Sequence, residues 1–288
     1  MTNIIFFGSS EYSIIILKQL LVLPDFRLLS VVAKTDKPTG RNKTITPNPV
    51  AKFAIDHKLN LIQVGESFDE PFKLKIAKFH AQLGICVAFG PPFFDQEMID
   101  FFPHKIINIH PSPLPKYRGA APGPWQIIND EKTSAVTFFQ IDKLPDHGPI
   151  ISQIPLTISS QDNSQSFYEK AFSLAANNLD SILKKYLEKP VLLPQDHSQK
   201  SYFPKFTKED GQIDWSWTQD KIERFVRALS PWPTAWTYVK NNQGKILKMK
   251  ILSAKYNGQL QILNVVIEGK SPTTWAEIQD YYQIIKEN

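Results

Sequence analysis

The chain has 288 residues, of which 42% are hydrophobic and 12% aromatic, with a net charge of +5 and a pI near 9.0. That is enough apolar material to fill a core in one large domain or two smaller ones, and it excludes a disordered or low-complexity chain. The single cysteine, Cys86, excludes an internal disulfide, and no apolar stretch reaches the roughly 18 residues of a membrane span, so a reducing, cytoplasmic setting is expected.

In the first half, short apolar runs alternate with amphipathic segments. The runs from Ile4 to Phe7, Leu28 to Ala33, Leu59 to Val64, Leu83 to Phe89, Lys105 to Ile109 and Ala135 to Ile141 read as strands. Ile14 to Leu21, Val50 to His57 and Phe72 to Phe79 read as helices between them. Near-continuous apolar strands alternating with helices predict a doubly wound, mostly parallel α/β sheet covered on both faces. Cys86 lies inside one such run and reads as a packing thiol. A peripheral strand from Ile150 to Ile158 follows, then a long helix. Ser166 and Glu169 have the spacing of its capping box. Residues 189–205 are polar, Pro-containing and aperiodic, as a linker would be. Beyond them come one helix, carrying Ile222, Phe225, Val226 and Leu229, and alternating strands from Ile246 to Leu252 and Leu260 to Ile267. The expected domains are therefore 1–188, a linker at 189–205, and a small β domain at 206–288.

Chemistry concentrates at Asn108-Ile109-His110 and at Asp146. Asn108 and His110 flank Ile109 at the end of an apolar run, so strand alternation turns both side chains to one face. Asp146 follows the next strand. Ligands of open parallel sheets gather at the carboxyl ends of strands, where these two segments can meet. An amide and an imidazole can polarise an acyl carbonyl there, and a carboxylate can help deprotonate an attacking amine. His104 and His147 show no metal-ligand spacing, and no metal is expected.

The residues around this trio carry a resemblance. The stretch from Asn108 through His110-Pro111-Ser112-Pro113-Leu114-Pro115-Lys116-Tyr117-Arg118-Gly119 to Pro122 closely resembles the core signature of the methionyl-tRNA formyltransferases, within the wider family of folate-dependent formyl-transferring enzymes. Ile5-Phe6-Phe7-Gly8-Ser9, Lys37 to Val50, Gly211 to Trp215 and Arg227 to Trp236 resemble further motifs of that family in the same order, along nearly the whole chain. The resemblance implies a Rossmann-like catalytic domain and a C-terminal β-barrel of the oligonucleotide-binding type. Because the segment between Ile251 and Leu260 is shorter than the family pattern, that barrel is expected to be reduced, with one or more strands missing.

The resemblance further implies transfer of formyl from 10-formyltetrahydrofolate to the amino group of methionine on initiator tRNA, in translation initiation. Asn108, His110 and Asp146 would be catalytic. Phe89, Gly90 and Pro91, with Ser112, Pro113, Leu114 and Pro115, would meet the folate. Arg41 and Lys43, in the basic stretch from Lys34 to Lys43, would meet the tRNA. Trp215, Trp232 and Trp236 read as core aromatics of the second domain rather than base-stacking residues. The chain is expected to act as a monomer, without a membrane. Three features depart from the family: Leu144 stands where it has glycine, His147 where it has threonine, and Pro113 where it has leucine. Gly148-Pro149-Ile150-Ile151 also resembles the glycinamide-ribonucleotide branch. Alternatives are therefore an acceptor that is a sugar amine or another small amine, a 10-formyltetrahydrofolate hydrolase, and an RNA-binding protein whose active site has decayed.

Overall fold

A computed structural model describes residues 1–39 and 44–286. The first strand, β1 (Thr2–Gly8), ends where a Cβ on Gly8 would press on the Phe6 ring and on Ser13. Ser10 and Ser13 then cap each other's backbone N–H to start α1 (Glu11–Val22). The buried Ser13 hydroxyl donates to the Val87 carbonyl at 2.7 Å and ties the helix start to a strand end. Next come β2 (Phe26–Lys34), the hairpin β3 (Lys37–Thr39) and β4 (Thr44–Thr46), and α2 (Pro49–Asp56), which Asn48 caps. β5 (Leu61–Val64), α3 (Glu70–Ala77), β6 (Leu83–Val87), α4 (Gln96–Asp100) and β7 (Ile106–His110) follow. The chain goes on through α5 (Pro122–Ile128), β8 (Thr133–Gln140), β9 (Ile150–Thr157) and α6 (Ser164–Glu188). The basic stretch is thus framed by a hairpin, and Arg41 and Lys43 lie outside the described residues.

Seven strands form one sheet in the order β5-β2-β1-β6-β7-β8-β9. β1 pairs parallel with β2 and β6, β2 with β5, and β6 with β7. The winding reverses between β1 and β6, which makes the carboxyl ends of these strands the expected ligand crevice. α1 and α2 pack against the β1–β2 side. On the opposite face, Phe72 and Ile76 of α3 and Met98 of α4 share a core with Phe7, Cys86 and Ile106. Burial pushes the Cys86 thiol up to about 12, the state of an inert packing group.

Two expectations need correction. β8 runs antiparallel to β7, with Gln140 opposite Ile107 and Thr137 opposite His110. Its carboxyl end therefore lies beside the amino end of β7, since apolar alternation carries no information about strand direction. The cap of α6 is Asn163 and not Ser166: Asn163 Oδ1 accepts the Ser166 N–H at 2.9 Å, and Ser166 Oγ accepts the Asn163 N–H at 3.1 Å. Glu169 has no part in that exchange.

The residues group into two compact units that interleave along the chain. The first holds Met1–Gly119, Ala135–Leu156 and Glu169–Tyr202, so the stretch 189–202 belongs to the sheet-bearing unit. Leu193 exchanges both backbone hydrogen bonds with Ile150, at 2.8 and 2.9 Å, as a strand would. The second unit holds Ala120–Ser134, Thr157–Tyr168 and Phe203–Asn288. Within it α7 (Gln219–Ala228) buries Ile222, Phe225 and Val226, and packs against α5, β11 and β12. Its sheet is antiparallel, in the order β13-β12-β11-β10-β14. The strands are β10 (Ala235–Asn241), β11 (Ile246–Tyr256), β12 (Leu260–Ile267), β13 (Thr273–Thr274) and β14 (Tyr282–Ile285), with α8 (Trp275–Ile278) between the last two. Five strands are therefore present where a depleted set was expected. The β11–β12 turn is tight, with Gly258 at φ +93°, and β13 has two residues. Among the described residues no helix is long and apolar enough to cross a membrane.

Candidate active site

The site forms where β6 and β7 end. Cys86 of β6 is in register with Asn108 of β7, and alternation sends Asn108 and His110 to one face as expected. Asn108 Oδ1 accepts the Ile109 N–H at 3.0 Å, so the side chain presents Nδ2 as its donor. His110 is 5% exposed, and its Nε2 lies 2.9 Å from the Tyr117 carbonyl. A carbonyl only accepts, so Nε2 carries a hydrogen in either charge state. Nδ1 is then the atom at which this imidazole gains or loses its proton, and it faces Asp146 Oδ1 at 3.7 Å. That separation allows ion pairing but is longer than a hydrogen bond.

Asp146 reaches His110 by a different route from the one expected. The chain leaves β8 at the wrong end of β7 and doubles back through residues 141–148. At Asp146 itself φ is +52°, a conformation that non-glycine residues seldom adopt. Oδ2 accepts the Gly119 N–H at 2.8 Å, which fixes the rotation of the carboxylate. At Gly148 the loop passes so close to the Gln140 carbonyl that a Cβ would overlap it.

Sequence reasoning missed the residue that holds this loop. Gln195, 5% exposed in the stretch taken as a linker, donates from Nε2 to the carbonyls of Asp146 (3.0 Å) and Gly148 (2.8 Å). Its Oε1 accepts from Arg118 Nη2 at 2.5 Å. Burial lowers the Arg118 pKa, an effect opposed by Asp146 and Asp142. The same Nη2 donates to His197 Nδ1 at 2.9 Å, so that nitrogen is an acceptor. Burial, then the positive neighbours His147 and Arg118, push the His197 pKa below its ordinary value. His197 stacks on His147 with centroids 4.0 Å apart, and His147 Nδ1 lies 2.6 Å from Asp142 Oδ2. The histidine that replaces the family's threonine is thus built into the loop's outer wall. No periodicity marked Gln195, because a lone polar residue whose partners lie far away in sequence leaves no pattern in its neighbours.

The other predicted positions divide. Ser112 is fully buried and its hydroxyl donates to the Lys116 carbonyl at 2.8 Å; the Leu114 side chain is buried too. Thr137 donates to the Ser112 carbonyl at 2.6 Å, and Gln153 donates to the Leu114 carbonyl at 2.7 Å. Pro113 and Pro115 are partly exposed, so the outward part of this turn is prolines and backbone rather than the serine hydroxyl. Phe89 turns its ring into the core against Phe7 and Phe94, which leaves exposed Gly90 and Pro91 to face solvent.

Lys34, at the end of β2, closes over this loop: Nζ lies 4.0 Å from the Phe89 centroid and donates to the Pro91 carbonyl. Burial brings its pKa down to about 8 from the ordinary 10.5. The folded chain therefore binds fewer protons than the unfolded chain between those two values, and it gains relative stability as pH rises through that window. Lys34→Met should raise the melting temperature at pH 7, with the advantage shrinking toward pH 10.5. Thermal unfolding of both proteins across that range checks this; an advantage that does not change with pH would contradict it.

Comparison with known proteins shows the family of the chain. Residues 2–182 match the family described as Formyl transferase, and residues 205–281 match Formyl transferase, C-terminal domain. A methionyl-tRNA formyltransferase of Thermodesulfovibrio yellowstonii is 33% identical, over 96% of this chain and 94% of its own. One of Ruminiclostridium cellulolyticum is 32% identical over 99% and 91%. Among solved structures, a sugar N-formyltransferase from a Shewanella species superposes with a TM-score of 0.64 at 18% identity, covering 89% of this chain and 99% of its own. A methionyl-tRNA formyltransferase from Clostridium thermocellum gives 0.59 at 16%, covering 93% and 99%. At those identities the superpositions show a shared fold.

Proposed function

The chain belongs to the formyl transferase family, and from that premise we propose that it moves a formyl group from 10-formyltetrahydrofolate to the free amino group of methionyl-tRNA, in translation initiation. The observation that carries the acceptor is the match to methionyl-tRNA formyltransferases along nearly the whole chain, the C-terminal unit included. The same reading makes the C-terminal five-stranded sheet an oligonucleotide-binding type barrel, gives Arg41 and Lys43 to the tRNA, and has the protein work as a cytoplasmic monomer.

The amine nitrogen attacks the formyl carbon, the carbonyl oxygen takes up negative charge, and the bond from that carbon to folate N10 then breaks. Asn108 Nδ2 and protonated His110 Nδ1 are the donors for the oxyanion. His110 can serve because its 3.7 Å approach to Asp146 is not a hydrogen bond that must first be broken. Asp146 lies within ion-pairing distance of the imidazole and accepts the proton that the amine sheds, directly or through water. The proton taken up by Asp146 is passed on to N10 as it leaves, directly or through water, so the carboxylate is restored. An α-amino group has a pKa of about 7.7–8.0, so mild base assistance is enough at neutral pH. Gly90 and Pro91, beside the β1–β6 switch point, offer backbone groups and an apolar wall to the pterin. Phe89 and Ser112 support that surface from inside, while Pro113 to Pro115 form its other edge.

The deciding experiment supplies 10-formyltetrahydrofolate with charged initiator tRNA, with nucleotide-linked amino sugars, or with no amine. Formylation of the tRNA at much the highest kcat/KM is expected. Preference for an amino sugar would assign the altered 141–148 loop to a small acceptor, and formate release without an amine would reveal a hydrolase.

A further inference from the structure

The second unit contains a cavity of about 470 Å³, lined by residues from the α7 start, the β11–β12 turn, α8 and β14. Three of the chain's six tryptophans, Trp215, Trp217 and Trp275, line it. All three are partly exposed, so Trp215 is not the core aromatic its sequence context predicts. Trp232 is 49% exposed as well, and only Trp236 of the expected trio is buried. Two of the indoles are held in place: Trp215 Nε1 donates to Thr237 Oγ1 at 2.9 Å, and Trp217 packs edge-on against Phe225 at 5.0 Å.

We propose that this cavity takes one unpaired nucleobase of a single-stranded RNA segment. This rests on the reading that an RNA carries the acceptor amine, and it adds where and how that RNA is gripped. Fixed indole faces offer stacking to any base, whereas a duplex keeps its base faces covered. Gln219, Gln261 and Gln279 bring amides, each with donors and an acceptor, to the edges of a flat heterocycle. Gln219 already spends its oxygen on the Leu260 N–H at 2.6 Å, so it presents its NH₂. Charge selects among flat ligands. Lys221 Nζ sits 4.2 Å from the Trp217 centroid and Lys286 Nζ 5.6 Å from that of Trp215, and no carboxylate is among the described lining residues. A cationic ligand would meet two ammonium groups already placed on the indoles; a base carrying phosphates would meet their attraction.

Quenching of tryptophan fluorescence in the full-length protein tests this, titrated with a short single-stranded RNA, the same sequence as a duplex, and AMP. Saturable quenching by the single strand is expected, with the duplex and AMP far weaker. Trp217→Ala and Trp275→Ala should each weaken single-strand binding by about 5- to 100-fold, the loss of one stacked base. Trp275→Phe, which keeps a stacking face, should recover most of it. In formylation assays the alanine variants should raise KM for tRNA with kcat unchanged. Equal binding of the duplex, equal binding of AMP, or unchanged affinity in both alanine variants would each overturn the proposal. The formyl-transfer reading fails separately: single-strand quenching would persist in a wild-type protein that does not formylate charged tRNA.

Discussion

Asn108→Ala should lower kcat for formyl transfer by about 10²–10³-fold, the usual effect of removing one preorganised oxyanion donor, or about 2.7–4 kcal/mol of barrier. The donor is preorganised because Asn108 Oδ1 is held by the Ile109 N–H, so Nδ2 needs no reorientation when charge develops. His110→Ala should cost about 10²–10⁴-fold, since it removes both a donor and the partner of Asp146. The double variant should fall well short of the product of the two effects, because both groups act on one oxygen. Folate binding should change little in Asn108→Ala, as the contacts assigned to the donor lie in the Gly90–Pro91 and Pro113–Pro115 segments. Single-turnover rates with charged tRNA, read beside equilibrium folate binding, provide the check. A tenfold or smaller effect of Asn108→Ala on the chemical step would remove the amide from the transition state.

The shared face of Asn108 and His110 was legible in the sequence, whereas the approach of Asp146 to His110 rests on a loop path that the expected strand direction did not give. Asn108 and His110 are two apart on a buried strand, while Asp146 is brought back to them only by the 141–148 loop. The β1 to β7 half of the sheet was legible as well: apolar runs such as Leu83 to Val87 stay apolar only when both faces are covered. The direction of β8 was not, because the side chains from Ala135 to Phe139 would bury equally well in either sense. Only the length and path of the 110–133 and 141–149 connections decide it. In the C-terminal unit, strands as short as Thr273–Thr274 fall below the span that any alternation pattern can mark. Trp215 there reads as core because its sequence surroundings are those of a core; only packing shows that it lines a cavity.

Gln195 is where pattern reading stopped and where the geometry makes its most specific demand. Gln195→Leu keeps the side chain's approximate bulk but removes two donors from the carbonyls of Asp146 and Gly148 and the acceptor from buried Arg118. Leaving such buried groups unpaired costs about 1–3 kcal/mol each, so the variant should melt several degrees lower. Its larger effect should be on rate. Asp146 holds a left-handed backbone conformation, and Gly148 passes against Gln140 with no room for a Cβ, so the 141–148 path depends on outside restraint. A displacement of about 1 Å in a catalytic group can cost about 10²-fold, and that loss is expected in kcat with KM for folate nearly unchanged. Gln195→Glu separates positioning from mere stability. Its carboxylate can still pair with Arg118 and so recover the stability lost with that contact, yet it has no hydrogens for the two carbonyls and places a negative charge beside Asp146. Positioning therefore requires Gln195→Glu to melt above Gln195→Leu, because it keeps the Arg118 contact, yet to be as slow as Gln195→Leu in turnover and altered in its pH–rate profile. A Glu variant with wild-type kcat and an unshifted profile would reduce Gln195 to an ordinary buried polar residue.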